Sequence, residues 1–323
     1  MSKAYIVIIC ILLALLSMSL YLSYNLYFKE EEIFQTRRTE ANYLPENNLE
    51  NFTLSSYYPN GILFHDNLRF EKSEITFFIS ESCNENRKKN VRKAFENLNR
   101  ITILSFYEVL EEENANIEVI CSDKEEDDGF FYFTAGEGGP LEIINATKFM
   151  IIKKGRVQLY RDESCKEPII ALHEIMHVLG FQHSTNKKDI MYNVSNCDQR
   201  VLPEQIEMIN ELYSIPSHPD LLFGRVESIK KGVYIKFDLE IFNYGLNKSD
   251  KFNLTIYAGS DLKDLKKVDY YEFNEIEAGA GRKISVENQK IPRNTRIISF
   301  LIDEEDQIKE IEEKNNKVTL SID

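Results

Sequence analysis

The spacing of apolar residues changes along the chain, and each change predicts a different kind of structure. Residues 4–22 carry no charge, and a run of about 20 such residues spans the hydrocarbon of a bilayer. Tyr21, Tyr24, Tyr27 and Phe28 gather at its far end, as amphipathic rings do at a headgroup interface. A transmembrane helix over residues 1–28 is expected. The run is long for a signal-peptide core and no small-residue cleavage site follows it; cleavage and secretion are the alternative. Residues 29–70 are polar and without period, punctuated by Pro45, Asn47, Asn48, Pro59 and Gly61, and read as a stalk.

From residue 71 the pattern becomes mixed. Ile75 to Ile79 form a β-rich run, and Val91, Ala94, Phe95, Leu98 and Ile101 recur at helical spacing. Strands are expected at 117–120, 149–152 and 157–160, the last two separated by a turn at Lys153, Lys154, Gly155 and Arg156. A short helix covers 203–212. Pro216 and Pro219 then interrupt the chain, which places a domain boundary there. Beyond it the period is two: Val233, Ile235, Phe237, Leu239 and Ile241 alternate with polar neighbours. So do Phe252, Leu254 and Ile256; Ile284 and Val286; Ile298, Phe300 and Ile302; and Val318, Leu320 and Ile322. The expected architecture is an α+β domain at 71–216, with a mixed sheet and helices, followed by an all-β immunoglobulin-like sandwich at 217–323.

Composition fits this division. The chain has 323 residues, 43% hydrophobic and 28% charged, enough for two folded domains. A formal charge of −14 leaves no excess of cations for phosphate, so nucleic acid is not an expected partner. The acidic runs Glu111, Glu112, Glu113 and Glu125, Glu126, Asp127, Asp128 read as solvated loops; a Ca2+ site at the second has only clustered carboxylates in its favour. Lys3 lies before the apolar run, whereas Lys29 after it meets Glu30, Glu31 and Glu32. This bias sets the N-terminus in the cytoplasm and the rest of the chain outside, as a single-pass membrane protein. Cys10 falls within the run, leaving Cys83, Cys121, Cys165 and Cys197 on the oxidising side. Four cysteines allow three connectivities. Pairing Cys83 with Cys121 and Cys165 with Cys197 keeps each bridge within one half of the α+β domain.

The chemistry concentrates at residues 173–183, His-Glu-Ile-Met-His-Val-Leu-Gly-Phe-Gln-His. Four-residue spacing puts His173 and His177 on one face of a helix, where both can bind one ion. Gly180 can end the helix and turn the chain so that His183 approaches from the side. Three neutral imidazoles leave a fourth zinc position for water, and Glu174 stands next to that face as a general base. Ile175, Met176, Val178 and Leu179 fit the faces that pack into the domain. His65 and His218 read as a stalk and a linker residue. The N-x-S/T sequons at Asn51, Asn145, Asn193, Asn247 and Asn253 are unsurprising in so Asn-rich a chain.

This extended motif resembles that of the metzincin zinc peptidases, which carry a methionine turn beneath the metal; Met191, within Asp189-Ile190-Met191-Tyr192, looks like that turn. The similarity is greatest to the matrixins, because Tyr192 follows Met191 directly and residues 202–213 resemble their closing helix. Position 193 is Asn, unlike the metal-binding Tyr of astacins and serralysins. The resemblance spans roughly 71–214 and implies an endopeptidase acting on polypeptides with one catalytic zinc. No cysteine in 29–70 matches the matrixin latency switch, and the histidines of the second, structural zinc site are absent. Residues 217–323 resemble CARDB modules of prokaryotic surface proteins through Pro219-Asp220-Leu221, Asn243-Tyr244-Gly245 and the segment from Ile302 to Asn316. That resemblance implies a positioning role or a surface partner. The alternative for the whole chain is an adhesion or scaffold protein with a structural metal.

Overall fold

The computed structural model describes residues 33–35, 63–65, 67–123 and 134–322. The expected span at 1–28 and the acidic run at 125–128 lie outside them. Among the described residues no helix is long and apolar enough to cross a membrane.

Strand β1 (Ile33–Gln35) belongs to the C-terminal unit and is placed below. The first unit is built from β2 (Leu68–Phe70), β3 (Glu74–Ile79), α1 (Glu85–Ile101), β4 (Ser105–Glu108), β5 (Ile117–Cys121), β6 (Gly136–Asn145), β7 (Met150–Leu159), α2 (Ile169–Val178) and α3 (Pro203–Ser214). Strands β2, β7, β5, β3 and β4 form a parallel sheet, and β6 runs antiparallel along β7. The helix α1 starts where the Asn84 side chain accepts from the Arg87 N–H at 2.9 Å. Its Val91, Ala94, Phe95 and Leu98 are buried against the sheet, with Phe95 stacked on Phe77. The same core takes in Ile175, Met176 and Val178 of α2 and Met208, Ile209 and Leu212 of α3.

Two expectations are corrected. The turn predicted at residues 153–156 does not exist, because β7 continues through it, bonded to β5 on one side and β6 on the other. Two ladders of backbone hydrogen bonds outweigh the local turn preference of Lys-Lys-Gly-Arg. The stalk boundary at residue 70 is also too late: β2 pairs with β7. Fully buried Arg69 donates to the carbonyls of Leu212 and Ile215 and stacks over Tyr213, tying β2 to α3.

The second unit is a sandwich of antiparallel sheets. Its strands are β8 (Leu221–Lys231), β9 (Tyr234–Asn243), β10 (Phe252–Gly259), β11 (Lys266–Phe273), β12 (Ala280–Lys290), β13 (Ile297–Ile302) and β14 (Lys317–Ser321). One sheet has the order β1-β12-β9-β8 and the other β11-β10-β13-β14. Ile235, Phe237, Leu239 and Ile241 point inward against Leu254, Ile256, Ile298 and Phe300, as their period of two predicts. Both expected disulfides form, with Cα atoms 4.8 Å apart for Cys83–Cys121 and 5.2 Å for Cys165–Cys197.

A small apolar cluster joins the units. Ala146, Phe149 and Ile151 of the β6–β7 connection and of β7 meet Leu246 and Ala278 of the sandwich. Beside it Lys148 Nζ lies 2.6 Å from a carboxylate oxygen of the fully buried Asp220.

Candidate metal centre

Helix α2 is hydrophobic almost all round and lies buried, so side chains that would be costly in an apolar core must be held by partners there. His173 and His177 sit one turn apart, and each Nδ1 meets a carbonyl: Ile190 O at 2.6 Å and Phe181 O at 2.7 Å. A carbonyl only accepts, so both Nδ1 atoms carry the proton and both Nε2 atoms present lone pairs. Burial holds the His177 imidazole down at about 4 and lowers that of His173. Both are neutral at physiological pH, the form that binds metals.

The chain leaves α2 through Gly180, whose φ of +101° is a conformation that L side chains avoid. A Cβ there would also come within 2.9 Å of Leu68 Cδ2. The turn brings exposed His183 back over the helix, with its Nε2 3.3 Å from that of His173 and 3.1 Å from that of His177. Three nitrogens bound tetrahedrally at zinc distances of about 2.0–2.1 Å stand about 3.3 Å from one another. One His183 proton cannot satisfy two facing lone pairs, whereas a divalent cation satisfies all three. The donor set therefore fits a metal ion, and these three histidines can hold one.

Beneath the histidines lies a rigid turn. Asp189, 4% exposed, accepts from the Met191 N–H at 2.9 Å and from Gln205 Nε2 at 3.1 Å. Met191 is fully buried in the main core, and its neighbour Ile190 supplies the carbonyl that orients His173. Cys197, in the exposed loop after this turn, is bonded to Cys165 just ahead of α2.

Glu174 is 6% exposed, on the side of α2 that faces β6. Glycines make this close approach possible: a Cβ at Gly138 would overlap the backbone oxygen of Glu174, and one at Gly136 would lie 2.8 Å from its Cγ. Burial, reinforced by the charge of Glu137, pushes the Glu174 carboxyl up to about 8. A cation bound at the histidines opposes that rise.

The sequence expects ligands at His173, His177 and His183, and the structure brings these three together; Glu174 follows His173 on α2, and Met191 follows the residue whose carbonyl orients His173. The sequence did not place Gly136 and Gly138, although glycines two apart on one strand face are a readable sign of close backbone approach. Nor did it place Leu63 and Phe64, which pack beside the turn at Gly180. His65 is exposed, and His218 lies in the linker, where its carbonyl accepts from the Leu246 N–H.

Residues 69–214 match the matrixin family, peptidase M10, and residues 218–320 match the CARDB family. No curated protein matches the chain. Similar solved structures include the CARDB domain of a Pyrococcus furiosus protein in complex with di-metal ions. It shares 15% identity over 32% of this chain and 87% of its own, with a TM-score of 0.27. Another is a domain of a putative cell surface protein from Methanosarcina acetivorans, 18% identical over 32% of this chain and 90% of its own, also with a TM-score of 0.27. The matrixin match implies a zinc metallopeptidase with polypeptide substrates, and the CARDB match suggests a surface or adhesion role.

Proposed function

We propose that the protein is a zinc endopeptidase held at the outer face of a membrane by residues 1–28, with His173, His177 and His183 as zinc ligands and Glu174 as general base. The observation that carries this reading is the convergence of three Nε2 atoms at a helix that also carries the buried Glu174, in a segment matching the matrixins. Bound zinc supplies a Lewis acid that polarises a peptide carbonyl and makes water nucleophilic near neutral pH. Glu174 takes the proton from the attacking water and returns it to the leaving amine. The carbonyl of Ile190 holds His173, and that of Phe181 holds His177.

Strand β6 gives a polypeptide somewhere to lie. It begins beside Glu174 and runs to the domain junction, and among the described residues it pairs with β7 alone. Among the described residues no strand lies on its other edge, where an extended chain could add to the sheet, as an endopeptidase must hold its substrate straight to reach the scissile bond. The sandwich, packed on the far end of β6 and β7, positions the catalytic unit or binds a surface partner.

The test uses the full chain loaded with zinc and an unstructured protein such as casein. Cleavage that is lost on chelation and restored by zinc, but absent in Glu174→Ala with zinc still bound, is the expected result. Activity in Glu174→Ala contradicts the assigned base. Absence of cleavage by the zinc-loaded wild type favours a scaffold with a structural metal.

A further inference from the structure

We propose that Leu63 and Phe64, which the sequence assigns to a stalk, are positioning residues of the metal centre. Their backbone clamps the turn that delivers the third histidine. The contacts all converge on the three residues before His183. The Phe64 N–H donates to Gly180 O at 2.9 Å. Leu63 forms an antiparallel bridge with Phe181. Gln182 Nε2 donates to Leu63 O at 2.9 Å. The Leu63 side chain packs on the main core. The Phe64 ring, 43% exposed, stands 6.0 Å from the His177 ring.

The need for such a clamp follows from how differently the three histidines are held. His173 and His177 ride on a buried helix with their Nδ1 atoms fixed. His183 is exposed, so packing does not fix its place; the backbone on either side does, residues 180–182 before it and Ser184 after it, whose N–H donates to Met191 O at 2.8 Å. Within that turn Gly180 is the most flexible residue type in a rare conformation. Phe181 has a second duty, since its carbonyl orients His177. Loosening residues 180–182 therefore disturbs two ligands at once. Groups that orient metal ligands typically contribute 10–100-fold in metal affinity.

This inference rests on the metal-binding reading of the site, and its test separates the two. The probe is zinc alone, titrated into the full chain in competition with a chromogenic chelator, with thermal unfolding of each variant recorded beside it. Phe64→Pro removes the N–H that meets Gly180, Phe64→Leu keeps it, and Gln182→Ala removes the bond to Leu63. Phe64→Pro should bind zinc about tenfold or more weakly and Gln182→Ala several-fold more weakly, while Phe64→Leu binds as the wild type does. Wild-type affinity in both Phe64→Pro and Gln182→Ala overturns the clamp. Should Phe64→Pro fail to fold, Gln182→Ala decides alone: weakened binding supports the clamp and unchanged binding refutes it. A loss of affinity equal in Phe64→Leu and Phe64→Pro also refutes it, because the backbone donor would then not matter. A wild type that binds no zinc at all defeats the metal reading itself.

Discussion

A histidine's usefulness to a metal depends on which nitrogen carries its proton, and here two backbone carbonyls make that choice for His173 and His177. The motif was legible because its spacing has few other uses, whereas the carbonyls of Ile190 and Phe181 leave no trace in side-chain identity. Glu174→Gln should keep its zinc and lose peptide hydrolysis by about 10²–10⁴-fold, the usual range for a general base, measured as initial rates against metal content. Gly180→Ala combines a left-handed φ with a contact to Leu68 and should lower unfolding stability by about 1–3 kcal/mol, read by denaturant titration.

At the level of elements, hydrophobic period found α1, α3 and the strands with two neighbours, and it missed a consistent set. Strands β1, β2, β4, β6, β8 and β11 were not anticipated, and every one of them lies at a sheet edge; of the edge strands described, only β14 was expected, from Val318, Leu320 and Ile322. An edge strand has a ladder on one side only and tolerates charge, as in the Lys-Lys-Val-Asp opening of β11, or glycine, as in β6. The alternation that marks a central strand is weak in such strands. β6 matters most, since its glycines let it lie against α2. Gly138→Ala has no rotamer to absorb the clash with the Glu174 backbone, so it should cost about 1–3 kcal/mol and reduce peptidase activity through displacement of Glu174. Parallel measurement of unfolding and of kcat checks both. The Cys83–Cys121 bridge, with a sequence separation of 38, should contribute about 3–4 kcal/mol by constraining the unfolded chain; unfolding of the double alanine variant measures it.

For the molecule as a whole, the two prolines and the change of period fall where one core cluster gives way to the next, but the way the units dock was not legible. The docking uses single residues far apart in sequence, such as Lys148 with Asp220 and Phe149 with Leu246. Where the β13–β14 connection meets the start of β8, Glu310, 5% exposed, accepts from the Leu221 N–H and from Asn316. Burial, aided by Asp220, nevertheless pushes its carboxyl up to about 8. A carboxyl with a folded pKa above its unfolded value of about 4.5 binds its proton more tightly in the native state. Its contribution to stability is fully present below about pH 4.5 and is lost as pH rises through about 8. The melting temperature should decline across that window in the wild type, and Glu310→Gln should lessen the decline, leaving the share of Glu174, whose carboxyl is raised to the same value.

The proposed function requires three imidazoles on one ion with a further position open to solvent. X-ray absorption at the zinc edge of the full chain measures this arrangement directly. Three imidazole nitrogens and one further light atom from solvent are expected, all at about 2.0–2.2 Å. A shell closed by a fourth protein ligand, or one containing fewer than three imidazoles, contradicts the proposed function.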